Sequence, residues 1–155
     1  MHDAYTPLVF LRDTHRLRAL MVDNQPWFVA RDFARLIGQR DARPLLQALA
    51  PYEQRRLRLD YGHDGHEEVA AISDGGAYKA LFRFGGPEHD GIGRWLGEVL
   101  VPTLHDYHRV PDAAPRRDLL TCDGRQIAVV RWQGDVWVAW RDLPALMTSG
   151  WGAPV

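Results

Sequence analysis

Residues Pro26–Gly38 read PWFVARDFARLIG, a phrase that passes from strand to helix. Trp27, Phe28 and Val29 are the aromatic and β-branched residues of a short strand. From Arg31 the apolar spacing changes: Phe33, Leu36 and Ile37 fall at i, i+3 and i+4, one face of a helix, and Gly38 stops it. Upstream, Leu8 to Leu11 and Leu17 to Val22 are strand-like runs around a turn at Asp13 to His15. Asp23-Asn24-Gln25 supplies a second turn before Trp27. The sequence therefore predicts a three-stranded meander leading directly into a helix.

Downstream of Gly38, Pro44 sits where a first helical turn tolerates proline, and Leu45, Leu46 and Leu49 continue an apolar face. Two short helices across a Gly-containing turn have the outline of a helix-turn-helix. Its second helix would bring Arg40 and Arg43 near the end where bases or phosphates are met. The same outline also serves as a plain packing unit. Next, Arg55 to Leu59 and Val69 to Ile72 read as a hairpin around the loop 60–66. Ser73-Asp74 caps a helix expected to bury Ala77, Tyr78, Leu81 and Phe82, and Gly85-Gly86-Pro87 ends it. A last helix is expected from Gly91 to Tyr107, with Ile92, Trp95, Leu96, Val99, Leu100 and Leu104 on one side and a kink at Pro102.

The opening phrase returns near the end as DVWVAWRDLPALM, Asp135 to Met147. At a constant offset of 110, Asp13 meets Asp123, Trp27 meets Trp137, Arg31 and Asp32 meet Arg141 and Asp142, and Leu36 meets Leu146. The segment 110–117 has the composition of a linker. The expected organisation is residues 1–109 as one domain, 110–117 as linker and 118–155 as an incomplete second unit. Fold class is α+β: a small antiparallel meander and hairpin packed with four or five helices, plus a partial β-β-β-α repeat. A three-stranded unit rich in tryptophan (Trp132, Trp137, Trp140, Trp151) cannot bury those rings alone. It is expected to dock on the first domain or on another chain, with these tryptophans as interface residues and a homodimer as one outcome.

Composition narrows the function. Apolar residues at 46% and charged residues at 25% are ordinary for a globular protein, and no apolar run approaches the length of a membrane span, so a cytoplasmic protein is expected. Cys122 is the single cysteine, expected to be structural. His63 and His66, and His105 and His108, are spaced three apart, but neither pair has a third ligand at a familiar spacing, so no metal or cofactor is expected. Ser73 is explained as a cap and no glycine-rich phosphate loop occurs, so no catalysis is expected. The net charge of -1 excludes a protein that coats nucleic acid with general basicity. The distribution is uneven, however. Between positions 31 and 58, seven arginines (Arg31, Arg35, Arg40, Arg43, Arg55, Arg56, Arg58) stand against Asp32, Asp41 and Glu53 alone. Arg31 and Asp32 are open to two readings, a helix start with its favourable acidic residue or a phosphate contact.

The phrase PWFVARDFARLIG, then ISDGGAYKALFRF, then GRWLGEVLVPTLHDY, in that order over residues 8 to 109, resembles the N-terminal (Bro-N) domain of the BRO family. That family includes baculovirus BRO proteins and phage and prophage antirepressors. The resemblance implies an α+β DNA-binding domain in transcription regulation, joined to a variable C-terminal region, with double-stranded DNA or a repressor protein as partner. The seven arginines are the DNA-binding residues expected on this reading. One departure stands out: where family members often carry several basic residues after the Tyr-containing helix, FRFGGPEHDG offers only Arg83, followed by Glu88 and Asp90. The rival expectation is an antirepressor that captures a repressor through its tryptophan-rich tail with little DNA contact.

Overall fold

A computed structural model describes residues 4–107, 114–132 and 135–144. His108, Leu146, Met147, Ser149, Trp151 and the first part of the expected linker lie outside the described residues. The architecture is α+β, with a six-stranded sheet in the order β1 (Ala4–Tyr5), β5 (Gln54–Asp60), β6 (His66–Ser73), β4 (Gln25–Val29), β3 (His15–Val22), β2 (Leu8–Arg12) and a three-stranded sheet in the order β7 (Arg116–Cys122), β8 (Arg125–Trp132), β9 (Asp135–Val138).

The meander forms as expected from β2 (Leu8–Arg12), β3 (His15–Val22) and β4 (Gln25–Val29). Its turns explain the register. Asp23 and Asn24 both take positive φ, 52° and 63°, the conformation of a two-residue hairpin turn whose twist matches the strands. Val22 therefore pairs with Gln25, and Trp27 with Leu20. Strands β5 (Gln54–Asp60) and β6 (His66–Ser73) form the hairpin, and β6 pairs antiparallel with β4, which merges hairpin and meander into one sheet. The two-residue β1 (Ala4–Tyr5), which adds a parallel edge to β5, was not anticipated.

Helices α1 (Ala30–Leu36), α2 (Arg43–Ala48) and α3 (Asp74–Phe84) cover one face of this sheet, together with a continuous rod made of α4 (Asp90–Trp95), a π-helical segment (Leu96–Leu100) and α5 (Val101–Tyr107). Phe10, Leu17, Phe28 and Ile72 from the sheet meet Phe33, Leu45, Leu96, Leu100 and Leu104 from the helices in the main core. Each such side chain, fully buried, contributes roughly 1.5–3 kcal/mol. Just before Pro102, where a kink is expected, the helix widens into the π-helical segment. There the Val101 N–H donates to Leu96 O, and the wider turn makes room for a ring that would crowd the carbonyl one turn back.

The expected buried face of α3 needs correction. Ser73 Oγ does accept from the Gly76 N–H at 3.0 Å, and of the expected residues Ala77 is buried and Leu81 packs against the core at its margin; Gly76, Ala80 and, partly, Phe84 complete that face. Tyr78 is 41% exposed and Phe82 is 93% exposed. A Cβ on Gly76 would stand 3.2 Å from Glu53 O and from Leu49, so α3 approaches its neighbours too closely for bulk on that side.

The second core lies on the opposite face of the sheet. It holds Leu20, Val22, Trp27, Val29, Leu57, Leu59, Val69 and Ala71, with Tyr5 and Tyr61 against them. Strands and their flanking turns supply all of these residues, so the sheet buries this face by curling over itself.

The tail reproduces the meander. Strands β7 (Arg116–Cys122), β8 (Arg125–Trp132) and β9 (Asp135–Val138) pair antiparallel, and a 3-10 turn (Trp140–Asp142) follows where α1 follows β4. Every pairing from Asp118 to Val138 is the first unit's pairing displaced by 110: Leu8 with Ala19 becomes Asp118 with Val129, and Leu20 with Trp27 becomes Val130 with Trp137. The turn residues Asp13 and Asp123 share positive φ, 53° and 48°. Strand β7 starts at Arg116, so the last two residues of the expected linker belong to it.

Candidate nucleic-acid interface

The seven arginines expected at DNA are all exposed, but they do not form one surface. Alternation along β5 puts Arg55 on the side of Leu57 and Leu59, where its guanidinium lies 5.4 Å from the centre of the Trp27 ring. Arg56 and Arg58 face the other way, opposite Ala70 and Glu68. The continuous arginine strand is therefore divided between two faces of the sheet.

Two of the seven are engaged by carboxylates. Arg31 donates to Glu67 Oε1 at 2.9 Å, and Arg56 stands 3.8 Å from Glu68. These four residues, with Val29 and Ala42, line a cavity of about 210 Å³ between the start of α1 and the β5–β6 hairpin. The hairpin register sets Glu67 against Leu59 and Glu68 against Arg58, which places both glutamates on the strand beside these arginines.

Arg35 on the last turn of α1, Arg40 in the connection and Arg43 at the start of α2 are different. They are exposed, and no carboxylate is within ion-pair distance of them among the described residues. The connection is fixed from both sides. Gly38 takes φ +80°, and the Gln39 N–H closes back on Ala34 O at 2.8 Å. The Arg43 N–H donates to Asp41 Oδ1 at 2.8 Å, which anchors the entry to α2. Arg58 is likewise exposed, at the far end of the hairpin.

Beneath this surface lies a buried ionic network that was not legible in the sequence. Arg18, 2% exposed, donates from Nε to Asp32 Oδ2 at 2.8 Å and from NH2 to Asp32 Oδ1 at 3.1 Å. Its NH1 reaches Tyr61 Oη and Glu67 Oε2, and its backbone N–H also donates to Asp32. The hydrogen bonds to Asp32 hold the Arg18 guanidinium still more firmly protonated than usual, against the effect of burial. For Glu67, burial pushes the carboxyl upward, but hydrogen bonds from Arg18 and Tyr61 and the charges of Arg18 and Arg31 together bring it below its ordinary range. Asp32 thus does more than greet the start of α1: it ties α1 to β3.

The tail docks on the first domain. Gln126 accepts from the Leu11 N–H through Oε1 and donates through Nε2 to Val9 O, which seals the outer edge of β2. Leu119 packs against the main core, and the Arg117 N–H donates to Asp106. This docking leaves Trp137 and Trp140 largely exposed and Trp132 partly covered. Trp132, Trp137 and Trp140 remain 37%, 58% and 86% exposed. Trp151, the fourth expected interface residue, lies outside the described residues. Among the described residues, no group of three or more His, Cys, Asp or Glu could hold a metal ion, and no helix is long and apolar enough to cross a membrane.

No protein-family model, curated protein or solved structure matches the chain.

Proposed function

We propose that this chain is a DNA-binding transcription regulator of the Bro-N, antirepressor-like kind, gripping duplex DNA through the connection between α1 and α2. The observation that carries this reading is the set Arg35, Arg40 and Arg43, exposed, with no carboxylate within ion-pair distance of their guanidinium groups among the described residues, on and beside a hydrogen-bonded turn. Guanidinium groups so placed are suited to phosphate oxygens, which give affinity without reading sequence and release counterions on binding. Arg31 and Arg56 are secondary, because each must leave a glutamate before it meets a phosphate.

Fluorescence anisotropy of a labelled generic duplex, titrated at several salt concentrations, tests the reading. Affinity should fall steeply with salt. Arg40→Ala with Arg43→Ala should weaken binding to every duplex and reduce the salt slope by about 0.9 for each phosphate that is no longer neutralised. Arg56→Ala should have the smaller effect. Absence of binding at low salt, or an unchanged slope in the double variant, removes the assignment. A second reading, capture of a repressor protein by the tail, draws on the exposure of Trp137 and Trp140. It predicts partner binding that survives loss of Arg40 and Arg43.

A further inference from the structure

The two meanders share one register but differ in what lies beside them. In the first, the outer edge of β4 is covered: Trp27, Phe28 and Val29 pair antiparallel with Ser73, Ile72 and Ala71 of β6. The hairpin also closes over the face that carries Trp27, leaving it 5% exposed among Leu57, Val69 and Ala71. In the second, β9 ends the sheet, and among the described residues no strand pairs with its outer edge. The positions equivalent to Leu20, Val22 and Trp27 are Val130, Trp132 and Trp137, and here Trp137 is more than half exposed and Trp132 partly so. The first unit therefore shows what such an edge and face take: an antiparallel strand that brings apolar side chains with it.

Strand β9 is short, four residues, and little else blunts its free edge. Its residues Asp135-Val136-Trp137-Val138 include no lysine and no proline, and the one charge stands at its start. The other edge beside the docked tail, that of β2, is sealed by Gln126. We infer that the β9 edge pairs with the β9 edge of a second copy of this chain, antiparallel about a two-fold axis at Trp137, joining two three-stranded sheets into one of six. The pairing is self-complementary. Trp137 meets Trp137 of the partner subunit, Val136 meets Val138 of the partner subunit, and Asp135 lies beside the end of the partner's strand that leads to Arg141. Trp132 and Trp137 share one face with Val130, since Trp132 pairs with Asp135 and Val130 with Trp137. The joined sheet therefore gathers the tryptophans of both copies on one side, where the curl seen in the first sheet would bury them. Such a dimer forms whether or not the chain binds DNA.

Sedimentation velocity of the full chain over a concentration series tests it. The wild-type chain should form a dimer. Trp137→Lys and Trp137→Glu should each weaken self-association about 30-fold or more, because each sets two like charges against one another across the axis. Trp137 is more than half exposed, so both variants should keep the wild-type circular dichroism. An equimolar mixture of the two should recover a dimer, since Lys then meets Glu. A wild-type chain that stays monomeric throughout overturns the inference and leaves the tail to a different protein. A dimer that survives either charge, or two variants that fail to recover when mixed, overturns the β9 pairing as its basis.

Discussion

Removing the carboxylate of Asp32 should be among the most damaging single changes to this fold. Asp32 is 3% exposed and takes three hydrogen bonds from Arg18, two from the guanidinium and one from the backbone. In Asp32→Ala the guanidinium stays buried with only Tyr61 and Glu67 as partners, and the Arg18 N–H loses its acceptor. Breaking a buried ion pair from one side costs about 3–5 kcal/mol. A domain's whole stability is about 5–15 kcal/mol, so the variant should lose a large part of it. For a chain of this size each kcal/mol moves the melting temperature by about 2–4 °C, which gives a fall of about 6–20 °C.

The assay is urea unfolding followed by circular dichroism, for Asp32→Ala, Arg18→Met, and Arg18→Met combined with Asp32→Asn. The combined variant removes both charges while keeping an amide oxygen for the Arg18 N–H. It should recover a substantial part of the loss, because desolvating two charges offsets much of what a buried pair contributes. The cycle completed by Asp32→Asn alone should show a coupling of about 1–3 kcal/mol. A loss below about 1 kcal/mol in Asp32→Ala, or additive effects around the cycle, would refute the reasoning that the pair joins α1 to β3.

Three further outcomes follow from local geometry. Ser73→Ala should cost about 1 kcal/mol through loss of the α3 cap, readable in the same unfolding experiment; Ser73→Gly should cost less from capping alone. Glu53 is held below its ordinary 4.5, first by the Ala50 N–H and then by Lys79, and Glu67 is also lowered, so the unfolded chain takes up protons at higher pH than the folded one. Their contribution is then complete above about pH 4.5 and is lost as pH falls through the folded values; urea midpoints from pH 6 to 3 should drop more steeply for the wild type than for Glu53→Gln with Glu67→Gln. Gln126→Ala should raise hydrogen exchange at the Leu11 amide while leaving Phe28 and Ile72 protected, and an unchanged Leu11 rate would show that the clamp contributes nothing to docking.

What the sequence disclosed and what it withheld divide along a physical line. Turn chemistry and alternation are local, so Asp23-Asn24, the β5–β6 hairpin and the recurrence at 110 residues could be read directly, and apart from β1 the strands fall close to where the spacing put them. Burial depends on what arrives from elsewhere in the chain. Bulk suggested that Tyr78 and Phe82 face the core, but the close approach of α3 at Gly76 admits only small residues there. Nothing in HRLRALMV marks Arg18 as buried, because Asp32, Tyr61 and Glu67 converge on it only in the fold. The arginine cluster was visible, but its division between two faces and its partial neutralisation by Glu67 and Glu68 required the register of a hairpin.

The repeated meander makes the same point within one molecule. Trp27 and Trp137 have equivalent neighbours along their strands and equivalent partners across them, Leu20 and Val130. Yet the first is buried and the second is more than half exposed. Strand pairing fixes which way each ring points, and only the strand beyond the edge decides whether the ring meets protein or water. The exposed Trp137 is thus not a flaw in the second meander. It is what the first meander would present if β6 were withdrawn, and it marks where a further strand can add the most buried apolar surface.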